Sequence, residues 1–404
     1  MIPLWLLAST ALAQTPATFD RSDSAFLPDE SHAVTEVTEG QRRGWSEHKD
    51  TVRFGAYSFS VTQRRDPATG LPEQQGQVWG DAFVGIGGKK PAFYMASNWS
   101  PWDFLGASVR LDGDAADQPQ PTKCGLLVYL GLREVTGERI VADAVFRDAA
   151  GGTLSARFVG RRGTDRFGLR LSYDPPKGRQ VASLRYTLVC QPYDYSDRGH
   201  WQRRRWVTTP ARDYALAEGA PLEVKPAAES LFVFHNRFAQ NDAGTLLAVD
   251  PTSVAAVSLT GHGNTIAIDL TPTSFGAPVY LLLGDWIDEA YGLAAGRFFA
   301  SAAALTRELT DLATLQVPRP PEPAPVEDQE IDALLARSPA LAQEFADKLR
   351  QVRAELAAAH GALGAEGEPS AEALTSYSAV LRSRSALYQD ARAASVKTQQ
   401  WPQR

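Results

Sequence analysis

Nowhere in the 404 residues does an apolar run reach the roughly 20 residues that carry a helix across a bilayer, so a membrane-spanning helix is excluded. Basic surplus is missing too: 41 Lys and Arg face 47 Asp and Glu, a net charge of -6. A general nucleic-acid binder needs a basic surface for phosphate contacts, and nucleic acid is set aside as a partner. Familiar catalytic signatures are absent: no Gly-x-Ser-x-Gly elbow, no His-Glu-x-x-His, no phosphate loop ending in Lys-Ser/Thr, no EF-hand loop. Gly85-Ile-Gly-Gly88 lacks the helix a dinucleotide site demands, and no cofactor is expected.

Cysteine is scarce, with Cys124 and Cys190 alone. Neither has a His or second Cys at ligand spacing, so no metal site is expected. The pair is read as a disulfide or as two separate buried thiols, and a bridge closing a loop of this length is worth roughly 4 kcal/mol on the chain-entropy model. The disulfide is the natural pairing only in an oxidising compartment. That compartment is indicated by Met1 to Gln14, where an apolar run from Ile2 to Leu7 leads to Ala11-Leu12-Ala13. Small-x-small is a signal-peptidase pattern, so residues 1–13 read as a signal peptide and the mature protein as secreted or periplasmic, although no Lys or Arg precedes the run.

What is present is strand grammar. From Val52 to Asp285, short alternating or β-branched runs such as Phe167-Gly-Leu-Arg-Leu-Ser-Tyr173 and Thr265-Ile-Ala-Ile-Asp-Leu270 are separated by Gly, Pro, Asp and Asn. The expected fold is mainly β: one large antiparallel sandwich, or two in tandem, over residues 46–316. A sandwich of this size resembles the mutarotase-like supersandwich of sugar epimerases and of accessory modules in lyases, an analogy of fold and not of motif. Residues 14–45 are polar and acidic and are expected to be a flexible N-terminal segment.

After Trp286 the period changes. Residues 287–315 place Leu293, Phe298, Leu305, Leu309 and Leu312 at helical spacing, predicting one long helix closing the β domain, with Asp285 and Asp288 as acidic residues at its N-terminus. Residues 317–327, with Pro318-Arg-Pro-Pro-Glu-Pro-Ala-Pro325, form a rigid linker. Beyond it, Ile331, Leu335, Ala342, Phe345, Leu349, Val352 and Leu356 follow a heptad seam, a coiled-coil pattern. Residues 328–396 therefore read as a helical hairpin, entered through Ser338 as N-cap and closed by a last helix after Ser370, with 397–404 as a tail. A hairpin this small must dock on the sandwich, on a second copy through residues 331–391, or on a partner.

Three constellations are candidate sites. Met95-Ala-Ser-Asn-Trp-Ser-Pro-Trp-Asp-Phe104 sets Trp99 and Trp102 beside Asn98 and Asp103. Sugar rings stack their apolar faces on flat aromatics and offer hydroxyls to Asn and Asp, so the stretch suits glycan; it equally suits a hydrophobic plug. The segment Tyr193-Asp-Tyr-Ser-Asp-Arg-Gly-His-Trp-Gln-Arg-Arg-Arg-Trp206 clusters arginines with tryptophans, and as a strand it puts Trp201, Arg203 and Arg205 on one face. Phe234-His-Asn-Arg-Phe238 ends an apolar strand in polar groups: His235 as base, Asn236 as carboxyl neutraliser and Arg237 as clamp, with Tyr195 as acid, are the inventory of a polysaccharide lyase. The expected function is an exported protein that binds glycan through Trp- and Arg-rich loops without turnover. A lyase or epimerase, and an envelope scaffold assembling through the heptad helices, are the alternatives.

Overall fold

The computed structural model describes residues 26–55, 57–68, 79–84, 98–99, 104–115, 125–164, 166–191, 205–236, 243–263, 265–287, 290–321, 325–364 and 368–400. Its strands are β1 (Leu27–Glu36), β2 (Ser46–Gly55), β3 (Tyr57–Arg65), β4 (Trp79–Val84), β5 (Asn98–Trp99), β6 (Leu105–Leu111), β7 (Leu126–Val135), β8 (Arg139–Arg147), β9 (Thr153–Arg161), β10 (Arg166–Asp174), β11 (Val181–Gln191), β12 (Arg205–Thr208), β13 (Asp213–Ala215), β14 (Leu222–Val224), β15 (Leu231–Asn236), β16 (Ala243–Val249), β17 (Val254–His262), β18 (Thr265–Pro272) and β19 (Val279–Ile287). The helices are α1 (Tyr291–Ala300), α2 (Ala302–Ala313), α3 (Pro325–Ala336), α4 (Pro339–Gly361) and α5 (Ala371–Gln400).

Two antiparallel sheets face each other. Sheet A runs β1-β2-β3-β4-β5-β11-β18-β17-β14 with β6 on β11, and sheet B runs β13-β12-β15-β16-β19-β10-β9-β8-β7. Alternation sets the register: Ile266, Ile268 and Leu270 of β18 turn into the core while the residues between them stay half-exposed. A slip of one residue would carry all three to solvent. The inter-sheet core is densest where Phe158 stacks on Phe59 at 4.6 Å and on Phe54 at 5.1 Å, beside Phe167. There the sheets touch backbone to backbone, since a Cβ on Gly160 would overlap the Phe54 carbonyl.

Sheet B is covered on both faces, so β8 and β19 read as nearly continuous apolar runs. Its outer face takes Phe298, Leu305 and Leu309 of α1 and α2 on Leu231, Val233, Leu246 and Leu282. The expected single closing helix is two helices meeting at Ser301, whose hydroxyl bonds back to the Arg297 carbonyl. The linker is pinned through its carbonyls. Pro318 accepts from Arg133 Nε at 3.0 Å and Nη2 at 2.7 Å, Pro320 from His360 at 2.9 Å, and Pro321 from Tyr377 at 3.1 Å.

The heptad seam is buried within the chain. Phe345 and Leu349 pack on Ile331, Tyr388 and Ala391, while Leu356 joins Leu374 and Tyr377 against Val128, Tyr129 and Val145 of the sandwich. Ser338 caps α4 as expected, its Oγ accepting from Leu341 N. Docking in cis removes the exposed apolar stripe on which the scaffold reading depended.

Two further expectations change. The segment expected to be flexible contains β1, paired with β2 over ten positions from Leu27↔Gly55 to Glu36↔Ser46; a polar edge strand shows no hydrophobic period to read. Cys190 is a free thiol, so the expected bridge to Cys124 is not made; Cys124 lies outside the described residues. Cys190 points into the inter-sheet core, where burial pushes its pKa up to about 12, with the nearby Thr245 hydroxyl pulling the other way.

Candidate functional site

The registers bring one set of strand ends together. Tyr57 pairs with Val84, Ala82 and Cys190 each pair with Trp99, Gln191 pairs with Asn98, Arg205 pairs with Asn236, and His235 pairs with Gly244. Three contacts cross between the sheets at this same end. Arg205 of sheet B lies flat on Gly261 of β17, leaving no room for a Cβ there. Tyr57 of sheet A donates its hydroxyl to Asp285 Oδ1 of β19 at 3.3 Å, and Cys190 meets Thr245. The chain segments that leave these ends carry Trp102, Asp103, Tyr195, Trp201, Arg203 and Arg237, six expected site residues that lie outside the described residues.

The described members of the set divide by face. Asn98 and Trp99 form β5, a strand where a loop was expected, and Asn236 closes β15. Arg205 is 3% exposed and spends its charge inside the fold, on Glu218 at 2.7 Å and on the Gly263 carbonyl at 3.2 Å. Glu218, pulled below the usual carboxylate range first by the Gly263 amide and then by Arg205, ties this arginine to the β17–β18 turn.

His235 is on the opposite face of sheet B from Arg205. It is 1% exposed, stacked on Tyr291 with centroids 4.2 Å apart, and its Nε2 is 2.8 Å from Thr208 Oγ1, which donates to Asp213 at 2.7 Å. Period-two geometry separates it from its neighbours: one residue along β15 is one face away. The imidazole is thus sandwiched between sheet B and α1; its expected partners Tyr195 and Arg237 lie outside the described residues.

Sequence reasoning missed the inward row at this end. Asp285, expected near a helix N-terminus, is a strand residue 2% exposed, beside Thr245 in register and bonded to Tyr57. Trp286, on the other face, covers Gly244, where any Cβ would overlap its ring. The residue order Gly-Asp-Trp-Ile carried a signal for this, because alternation through Leu281, Leu283 and Asp285 continues the inward face of β19. Among the described residues no group of three His, Cys, Asp or Glu side chains is placed to hold a metal ion.

Fold and strand ends together define the class: a mainly β, antiparallel two-sheet sandwich with a helical layer and a loop-bearing end. No family model and no curated protein matches the chain. Among solved structures it is similar to the alpha-N-acetylgalactosaminidase NagBb of Bifidobacterium bifidum, at 10% identity and TM-score 0.38 over 62% of this chain and 38% of that one. It is similar also to the alpha-galactosidase AgaA of Geobacillus stearothermophilus, at 9% identity and TM-score 0.31 over 59% and 41%. A third is a putative aldose 1-epimerase from Klebsiella pneumoniae, at 9% identity and TM-score 0.36 over 72% and 90%. The chain spans about two fifths of the length of the first two.

Proposed function

We propose that the protein is an exported glycan-binding sandwich that holds its ligand at the loop-bearing end without turnover. The observation that carries this is the pair of registers Cys190↔Trp99 in sheet A and Arg205↔Asn236 in sheet B, at strand ends that the contact of Arg205 with Gly261 ties across the two sheets. Strand ends held within a sheet suit binding, because the backbone at Asn98, Trp99 and Arg205 is fixed before a ligand arrives. Trp99, Trp102 and Trp201 supply stacking faces in this reading, and Asn98, Asp103 and Arg203 supply hydrogen bonds. Arg205 acts from inside, anchoring the start of β12 on Glu218 and Gly263 and making no ligand contact of its own.

Burial of His235 under α1 favours binding over lyase chemistry, which needs a base that reaches the substrate. The test is calorimetric titration of the full chain with a panel of neutral and acidic oligosaccharides. At least one should bind saturably, and Trp99→Ala or Trp201→Ala should each weaken it tenfold or more at unchanged Tm. Binding that survives both substitutions, or a panel with no ligand at all, would sink the proposal.

A further inference from the structure

The outer face of sheet B holds a cleft of about 450 Å³ between the sheet and the start of α5. Ligand pockets of small molecules run from about 300 to 1,000 Å³, so the space is adequate for one sugar ring with its substituents. Its floor is two neighbouring strands in register: Arg157 opposite Arg170, Ser155 opposite Ser172, Thr153 opposite Asp174. Pro175, Pro278 and Pro369 stand in its wall and offer apolar ring edges.

The two arginines are not equivalent. Arg157 is engaged on both sides, with Nε and Nη2 on Asp143 at 2.8 and 2.9 Å and Nη1 and Nη2 on Glu368 at 2.5 and 3.1 Å. Arg170 comes only within 4.0 Å of Glu368 Oε2, a carboxylate oxygen already engaged by Arg157. Like charges directly opposite on adjacent strands are unfavourable, so the sheet carries at this point a second guanidinium whose nearest carboxylate oxygen is shared with Arg157 and which acts on Asp143 and Asp174 only through the field of its charge. It is 25% exposed, half-sunk in the cleft and reachable from it. A fork of this kind matches a carboxylate in two parallel hydrogen bonds.

We propose that this cleft binds a sugar acid, its carboxylate on Arg170, its hydroxyls on Ser155, Ser172 and Asp174, and its ring against the prolines. The polar groups fit that ligand and no smaller one: an isolated oxyanion uses Arg170 but leaves the serine row and Asp174 without a partner. A neutral sugar uses the hydroxyls and leaves Arg170 facing Arg157. The site rests on its own residues and is independent of the loop-bearing end, since Ser155, Ser172 and Asp174 lie along β9 and β10 away from it.

Calorimetry on the full chain with glucuronate, glucose and acetate as probes tests it. Glucuronate should bind saturably and at least tenfold more tightly than either of the others. Arg170→Gln should weaken it tenfold or more while the chain still unfolds cooperatively, and Ser172→Trp should abolish it by filling the cleft. Trp99→Ala should leave it unchanged. The proposal falls if glucuronate does not saturate, if acetate binds as tightly, if Arg170→Gln binds like the parent, or if Trp99→Ala removes the binding, which would place the ligand at the other end.

Discussion

His32 and His48 sit on adjacent strands with opposite ionisation. His32 Nδ1 is 2.6 Å from Asp50 and Nε2 is 3.0 Å from Glu30; burial alone would lower its pKa, but these two carboxylates raise it to about 9. His48 bonds Ser46 at 3.0 Å and faces Arg65 and Arg382, and burial followed by these two charges drops it to about 4 against the pull of Asp50. The raised pKa of His32 contributes stability that is complete below about pH 6.5 and is lost as pH rises through about 9. The depressed pKa of His48 contributes stability complete above about pH 6.5 and lost as pH falls toward about 4. Stability should therefore peak near pH 6.5, with arms on the order of 1–2 kcal/mol after solvent screening of half-buried groups. Urea denaturation across pH should show His32→Gln flattening the alkaline arm and His48→Gln the acid arm; arms that persist in both variants would contradict the assignment. Neither shift was legible in the sequence, because the charges that set them come chiefly from other strands and from α5.

Elements were legible in proportion to how their faces are solvated. β18 alternates cleanly because its outer face meets water, and Thr265-Ile-Ala-Ile-Asp-Leu270 declared it. β10 alternates as well, but its outward Arg170 and Ser172 face a roofed cleft, and a roofed polar face reads like a wet one. β1 was invisible as a polar edge, and the break between α1 and α2 at Ser301 left the helical period of Phe298, Leu305 and Leu309 undisturbed. The candidate site was legible as segments and not as faces: Arg205 and His235 were both named, yet strand period put them on opposite sides of sheet B. Between elements, the strongest single tie is Arg157, joining β8 and β9 through Asp143 to the hairpin through Glu368. Asp143 is held below the usual carboxylate range: burial would raise it, and Arg157, Arg133 and Arg170 overcome that. Arg157→Ala should cost about 3 kcal/mol, since it leaves a buried carboxylate with less compensation, and adding Asp143→Ala should recover part of that loss. Denaturation of the two singles and the double gives the coupling; additive losses would mean that the pair does not act as a unit.

At the scale of the whole molecule the chain is layered, with sheet A, sheet B and a helical layer stacked in that order, and the last layer is held by groups of three kinds. Apolar contact joins Leu356, Leu374 and Tyr377 to Val128, Tyr129 and Val145. Carbonyls of the proline linker receive Arg133, His360 and Tyr377. Ion pairs run from Arg157 to Glu368 and, on the other side, from Arg382 to Asp50 at 3.6 Å. A layer attached this way is part of the fold rather than a tether, because its removal uncovers apolar strand residues and strips compensation from buried charge together. Ending the chain at Pro325 should therefore lower Tm by roughly 10 °C, taking about 1.5–3 kcal/mol per large apolar side chain exposed, and should make the sandwich prone to aggregate. Light scattering should find the full chain monomeric, its heptad residues Phe345, Leu349, Val352 and Leu356 all being buried at home. A truncated chain that melts with the parent, or a full-length oligomer that dissociates on that truncation, would return the hairpin to the role of an assembly module.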